Sequence, residues 1–518
     1  VPPLPLPASP GAAGPGPGGG TTGALRVCPA RGPLPPRPCR SRGGPGEQEM
    51  KNNLTLIAVC AALACAASGP AAAKPPVFPP APALVFTPPQ AERYVMPNGL
   101  IVYMLEDHTL PSVRISALVR TGSQYDTADK AGLAALTASS MRAAGTVKYK
   151  ADDLNARLEF IGADIEAEIS LEEASLNAVC LSKNTAEVLD MTAEILQRPA
   201  FEEAKVKVEK DGMIDGIKRR NDNPQTMVYR EAYRRFYGLN HPYAFRSEKA
   251  GVESMTVEDL KAFHSRFYRP NRTMLAVAGD FKAAEMKEAL AKAFGQWEKT
   301  DAPLPEIAAP VLPSGRQVFY ISKQLPQAPM VLIQPGPKRR HPDQEAILVA
   351  NAVLGSGGMG SRLFTEVRTN KGLAYTVYSM PVRTSTVGSL MAFCGTKNKT
   401  VGVALDEIIK QIQGMRNAAP GAEELARAKD GIVNSYVFRF ATPMSVLDDR
   451  MSNEYYGYPA DYVEKYPSYI SAVNADKVLE VSKRWYNPDG ALIFVSGDAA
   501  QFDKPLSSYG TVSNVEAD

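Results

Sequence analysis

The chain has 518 residues, 44% of them hydrophobic and 22% charged, with a formal net charge of +3. These proportions exclude a collagen-like, a wholly disordered and a polytopic membrane protein, and the length suits two to four domains of ordinary size. Residues 1–73 carry six basic and two acidic side chains, so the remainder has a net charge of −1, a balance that does not point to nucleic acid as a partner.

Residues 1–49 hold 13 Pro and 11 Gly with no apolar periodicity and read as a disordered or non-native leader. Met50 then opens a different segment. Lys51 is a short positive region, Leu54 to Ala67 an apolar run of 14 residues, and Ala71-Ala72-Ala73 a small-residue cleavage site. This is the layout of a secretory signal peptide over 50–73, with Met50 as the start and export to a bacterial periplasm as the expected destination. The run is too short for a comfortable membrane span. Cys60 and Cys65 lie late in it, but neither has Leu three residues earlier, so lipoprotein anchoring is the less favoured reading. Two cysteines remain, Cys180 and Cys394, each in an apolar stretch and expected as buried free thiols rather than a bridge.

After a Pro-rich lead-in from Pro75 to Pro89, Leu100–Leu105 and Val113–Val119 are strand-like. Helices are expected over Lys130–Ala143, Thr185–Gln197 (ended by Pro199) and Glu202–Arg220. Then a pattern repeats. Arg266-Phe267-Tyr268-x-Pro270, followed by Gly279-Asp280, recurs as Arg484-Trp485-Tyr486-x-Pro488, followed by Gly497-Asp498, every matched pair offset by 218. Each copy encloses an apolar strand, Met274–Ala278 and Ala491–Ser496, with a helix expected ahead of it. So long a period means two similar domains rather than a solenoid. Thr300–Pro313 contains four Pro and no clear periodicity, the composition of a stiff linker. The domains are placed at 84–299 and 314–513.

Chemistry is sparse. His108, His241, His264 and His341 are isolated from one another, and no H-E-x-x-H is present, so these histidines are expected at the surface or capping turns rather than on a metal. No Ser has Gly two residues before and two after it, which removes the strained Ser elbow of α/β-hydrolases. Leu354-Gly-Ser-Gly-Gly-Met-Gly-Ser-Arg362, with glycines at 355, 357, 358 and 360, allows close backbone approach or an anion-binding loop. As a phosphate loop it is weak, because Arg362 stands where Lys is expected and the spacing differs. Ser361 is expected to cap a helix to about Lys371 that Gly372 ends.

Taken with Met96-Pro97-Asn98-Gly99-Leu100, Gly122-Ser-Gln-Tyr125, Asn240-His-Pro-Tyr243, Phe263 to Asn271 and both Arg-aromatic-Tyr repeats, this segment resembles the pitrilysin/insulinase-type zinc metallopeptidases, which include processing peptidases and respiratory-complex core proteins. The resemblance spans nearly all of 84–513. It implies an α+β fold of two homologous domains, each a mainly antiparallel sheet packed with helices and joined by the Pro-rich linker.

The zinc motif departs from the family. Where active members carry G-x-A-H-x-x-E-H, this chain has Gly132-Leu-Ala134-Ala135-Leu-Thr-Ala138-Ser139. The two ligand His and the general-base Glu thus read Ala135, Ser139 and Ala138, and the third ligand falls at Gly216 beside Asp215. Ala has no donor atom and Ser is a poor zinc ligand, so no metal is expected on this chain, and Ala135 and Ala138 are expected to pack in core or groove. Arg368 and Tyr375, seven apart, match the pair that the family sets opposite the zinc, where guanidinium and phenol hold a peptide carbonyl and its oxyanion. The bland alternative is an exposed helix-end Arg and a core Tyr. The resemblance therefore implies a non-catalytic, substrate-binding subunit of a heterodimeric metallopeptidase. It would be inactive alone and paired with an H-x-x-E-H-bearing homologue that holds the zinc and cleaves peptides or unfolded proteins. The alternatives are an inert scaffold or peptide-binding protein of the same fold, and, less favoured, an independent peptidase with a displaced metal site.

Overall fold

The computed structural model describes residues 88–516; the expected leader, signal peptide and Cys60/Cys65 anchor lie outside them. The first half builds a six-stranded sheet from β1 (Glu92–Val95), β2 (Ile101–Glu106), β3 (Ser112–Val119), β4 (Asp164–Ile169), β5 (Ala174–Leu181) and β6 (Thr273–Gly279), in the order β1-β2-β6-β3-β5-β4. The second uses β7 (Gln317–Ser322), β8 (Ala328–Gly336), β9 (Ala374–Val382), β10 (Gly388–Thr396), β11 (Leu492–Gly497) and β12 (Thr511–Asn514), in the order β12-β7-β11-β8-β10-β9. The inner order is the same in both, and β2/β6 and β7/β11 are the equivalent parallel neighbours. The sheets are mixed, because the outermost β12 also runs parallel to β7 whereas β1 runs antiparallel to β2.

The repeat seen in the sequence is a structural one. Helices Val257–Phe267 and Ala475–Trp485 precede the short 3₁₀ turns Pro270–Arg272 and Pro488–Gly490, which feed β6 and β11. Tyr268 and Tyr486 are buried at matching places. The three helices expected in the first half form over Leu133–Ala143, Thr185–Gln197 and Glu203–Arg219. The first starts later than expected because Asp126, four residues before Lys130, takes the role of cap: its carboxylate accepts the Gly132 and Ala134 amides at 2.8 and 2.9 Å. Residues 300–313 contain no helix or strand.

Apart from Thr273 and Ser496, β6 and β11 carry no polar side chain, because both faces of each sheet are covered. Leu275 and Val277 face the core formed by the first half's own helices, while Met274, Ala276 and Ala278 face Met444, Leu447, Met451 and Tyr455. Those four residues belong to Pro443–Tyr455, a helix of the second half. The exchange is mutual. Pro224–Tyr237, a helix of the first half, sets Met227, Val228 and Phe236 against Phe319, Val331 and Phe494 of the second sheet. Both exchanged helices begin with Pro at a first-turn position, behind a side-chain cap from Asn223 or Thr442, where the missing N–H costs nothing.

Cys180 and Cys394 are buried free thiols, as expected. Among the histidines, His241 and His341 cap turns by accepting the Tyr243 and Asp343 amides, and exposed His108 pairs with Asp280 at 2.7 Å. His264 departs from expectation. It is buried against Tyr268 and Phe201, its Nε2 bonds the Leu196 carbonyl at 2.9 Å, and burial pushes its pKa down to about 4.

Two outcomes follow. Leu447→Ala, at a fully buried position of the exchanged helix, should cost about 2–5 kcal/mol and shift the unfolding of both halves together in chemical denaturation. His264 is held neutral in the fold, so its stabilising contribution is complete above its unfolded pKa of about 6.5 and is lost as pH falls toward 4. The stability difference between wild type and His264→Gln should therefore shrink by about 3 kcal/mol between pH 7 and pH 4.

Candidate functional site

Helix Leu133–Ala143 carries the positions where active relatives of the resembled family hold their metal. Ala138 is buried, as expected, but Ala135 is exposed rather than packed in core or groove, because it lies on the side of the helix away from Leu136 and Ser140. Ser139 is half-buried and its hydroxyl donates to the Leu136 carbonyl at 3.3 Å. The neighbouring helix Glu203–Arg219 brings Gly216 and Asp215 to an exposed face, with Asp215 paired to Lys218 at 2.8 Å. Two methyl groups, a hydroxyl turned back on its own helix and an ion-paired carboxylate do not fit zinc, which needs about three N, O or S donors converging within bonding distance. Among the described residues, no group of three or more His, Cys, Asp or Glu side chains is placed to hold a metal ion.

The second half gathers a different cluster. The glycine-rich segment is the joint between two widened, π-wound turns, Ala352–Ser356 and Phe364–Asn370. Gly355 is needed for packing: a Cβ there would stand 2.3 Å from Ser379 Oγ and 2.5 Å from its amide. Ser379 in turn donates to Asn351 Oδ1 at 2.7 Å. The segment is therefore a structural turn. Arg362 grips Glu424 with two bonds of 2.7 and 2.8 Å and is not free for phosphate. Ser361 does not cap the following helix as expected; its hydroxyl donates back to the Gly358 carbonyl. Gly372, at φ +61, does end it, its amide bonding the Arg368 carbonyl at 3.1 Å.

The π-wound turn and β9 bring Arg368 and Tyr375 together. The guanidinium carbon lies 4.4 Å from the Tyr375 ring centre and 4.6 Å from that of Phe364. Tyr375 is 76% exposed on an edge strand, so it is not a core residue. Arg368 has no ion pair or hydrogen-bonded carbonyl for its side chain among the described residues. π-winding recurs at functional sites because it re-aims one side chain without ending a helix. No hydrogen bond, ion pair or ring contact joins this cluster to Ala135, Ala138, Ser139 or Gly216 among the described residues.

Reading the sequence missed a further grouping, between the halves, built from Arg120, Glu172, Lys338, Arg339, Arg340 and Tyr455. The one local signal was the run of three cations between Pro337 and Pro342.

The model of the insulinase family, peptidase family M16, matches residues 101–242, and that described as the peptidase M16 inactive domain matches 254–432, together more than half of the chain. The chain belongs to the M16 (insulinase) peptidase family. The second match begins before β6, so its limits do not follow the two sheets. Over 411 residues the chain is 26% identical to the uncharacterized zinc protease YmxG of Bacillus subtilis, covering 78% of this chain and 98% of that one. It is also 26% identical to cytochrome b-c1 complex subunit 1 of Rattus norvegicus, covering 77% and 84%. Against the probable mitochondrial-processing peptidase subunit beta of Arabidopsis thaliana it is 26% identical, covering 55% and 56%. A solved structure of a peptidase M16 inactive domain from Pseudomonas fluorescens shares the fold, with a TM-score of 0.73 at 24% identity over 80% of this chain and all of that one. The chain is thus an M16 homologue built on two six-stranded sheets.

Elemental analysis of the purified chain should give well under about 0.1 zinc per molecule. Near-stoichiometric, tightly held zinc would reveal a ligand set other than the emptied one.

Proposed function

We propose that this chain is a non-catalytic, substrate-binding subunit of a heteromeric M16 peptidase acting on peptides or unfolded proteins, exported to the periplasm by the signal peptide at 50–73. The observation that carries the proposal is the Arg368–Tyr375 cluster. A guanidinium held between two aromatic rings, with its N–H donors uncommitted, is preorganised to meet an external carbonyl oxygen. It cannot activate water, and neither can Ala135, Ala138 and Ser139. The partner would be an H-x-x-E-H-bearing homologue that supplies zinc, water and general base. The substrate would lie extended along β9, whose outer edge leaves backbone groups available beside Tyr375; that recognition reads backbone rather than sequence.

The likeness to a cytochrome b-c1 subunit supports a second reading, an inert scaffold or peptide-binding protein of the same fold. The two separate in one assay. The chain is co-purified with an H-x-x-E-H homologue from the same genome and cleavage of an unfolded protein is followed. Arg368→Ala is expected to lower kcat by roughly ten- to a thousandfold, the range for a lost oxyanion donor, with the complex intact by size-exclusion chromatography. Turnover equal to wild type would remove Arg368 from the chemistry and leave the scaffold reading.

A further inference from the structure

A cleft of about 500 Å³ opens at the seam between the two halves, within the range of small-ligand sites. Its walls carry four cations, Arg120, Lys338, Arg339 and Arg340, against one carboxylate, Glu172. That carboxylate is fully engaged. It accepts Tyr243 Oη at 2.9 Å, the Ser385 amide at 2.6 Å and Arg339 at 3.3 Å. Arg120 and Arg339 are fixed in place: Arg120 donates to the Tyr455 carbonyl at 2.7 Å, and the Arg339 guanidinium lies 3.5 Å from the Tyr456 ring centre. Lys338 and Arg340 are exposed, with no ion pair or side-chain hydrogen bond among the described residues.

Two buried donors in the same wall are also unpartnered, Thr121 Oγ1 and Arg339 Nε. Arg340 is one of two non-glycine residues with positive φ among the described residues, at +62. Its amide donates to Gln344 Oε1 at 3.2 Å. Strain of this kind collects where a side chain is held for a ligand. Like charges gathered in a concave site raise the local concentration of counter-ions.

We infer that this cleft binds a small multivalent oxyanion, carrying phosphate or carboxylate groups, between the two halves. A bond from Arg339 Nε, whose Nη2 is held by Glu172 and the Arg383 carbonyl, and bidentate bonds from Arg340 would supply orientation, and Lys338 a mobile charge. The inference is independent of the peptidase-subunit reading.

The test is isothermal titration of the purified chain with pyrophosphate and, separately, citrate at fixed ionic strength. At least one should bind one per chain, the tighter of the two identifying phosphate or carboxylate as the preferred chemistry. Lys338→Ala/Arg340→Ala should weaken that binding at least tenfold, while Lys207→Ala/Lys218→Ala, which removes two cations elsewhere on the surface, should leave it within twofold. Binding of neither anion, or equal weakening in both double variants, overturns the inference. Arg340→Gly relieves the positive φ, and it should melt no lower than wild type yet bind at least fivefold more weakly. If it binds as wild type does, Arg340 is only a strained turn residue and the site as drawn is wrong.

Discussion

The structure depends on a reciprocal exchange of helices. Each sheet has two apolar faces, and the helices of one half cover only one of them. The second face of the first sheet is closed by Met444, Leu447 and Met451 from the far half, and that of the second sheet by Met227, Val228 and Phe236 from the near one. Neither half can detach without exposing a row of Val, Leu, Met and Phe to water, at about 25 cal/mol for each Å². Polar bonds follow the same seam. Arg93 donates twice to Glu454, Arg120 donates to the carbonyl of Tyr455, and Tyr455 Oη donates to the Glu172 carbonyl. The two copies of the repeat are therefore one folded body, unlike beads on a linker.

How much of this was legible in the sequence depended on how locally each feature is determined. The Arg-aromatic-Tyr-x-Pro…Gly-Asp repeat was readable because every residue in it answers a local demand: an aromatic at a helix end, a Pro starting a 3₁₀ turn, a Gly closing a strand against β3 or its counterpart. The helix exchange was not readable. Pro224–Tyr237 and Pro443–Tyr455 are amphipathic by pattern, but an apolar stripe does not say which sheet it will meet. Likewise the seating of Gly355, in the first π-wound turn, on Ser379 of β9 is a contact between residues 24 apart. Ala135 was misread because alanine fits core and surface equally, and only the rotation of the helix decides. The cleft was invisible because its walls come from positions 120, 172, 339 and 455, which no window of sequence places together.

The alanine-rich helix Leu133–Ala143 and the Arg368–Tyr375 cluster are physically separate matters. Alanine is the strongest helix former, so a helix reading LAALTASSMRA, anchored at its start by Asp126, needs no metal to hold its shape. Loss of donors there leaves the fold whole. Arg368 is the opposite case. An arginine stacked on an exposed tyrosine contributes little to stability, on the order of 0.5–1 kcal/mol at such a site, and Tyr375 keeps an apolar ring in water. Packing alone does not account for the pair; an external acceptor would.

The seam gives the charged cleft a mechanical meaning as well. Arg120 and Glu172 belong to the first half, Lys338, Arg339 and Arg340 to the second, and Tyr455 ends the exchanged helix between them. Glu172 is committed to Arg339, Tyr243 and Ser385, which leaves Arg120 of the first half as the like charge facing the three cations of the second. An anion seated among them would bond to groups of both halves and add to the bonds that already cross the seam. It would stabilise the joined halves in proportion to the logarithm of its concentration over its dissociation constant. The apolar exchange holds the halves together, and the cleft is where a ligand could adjust how firmly.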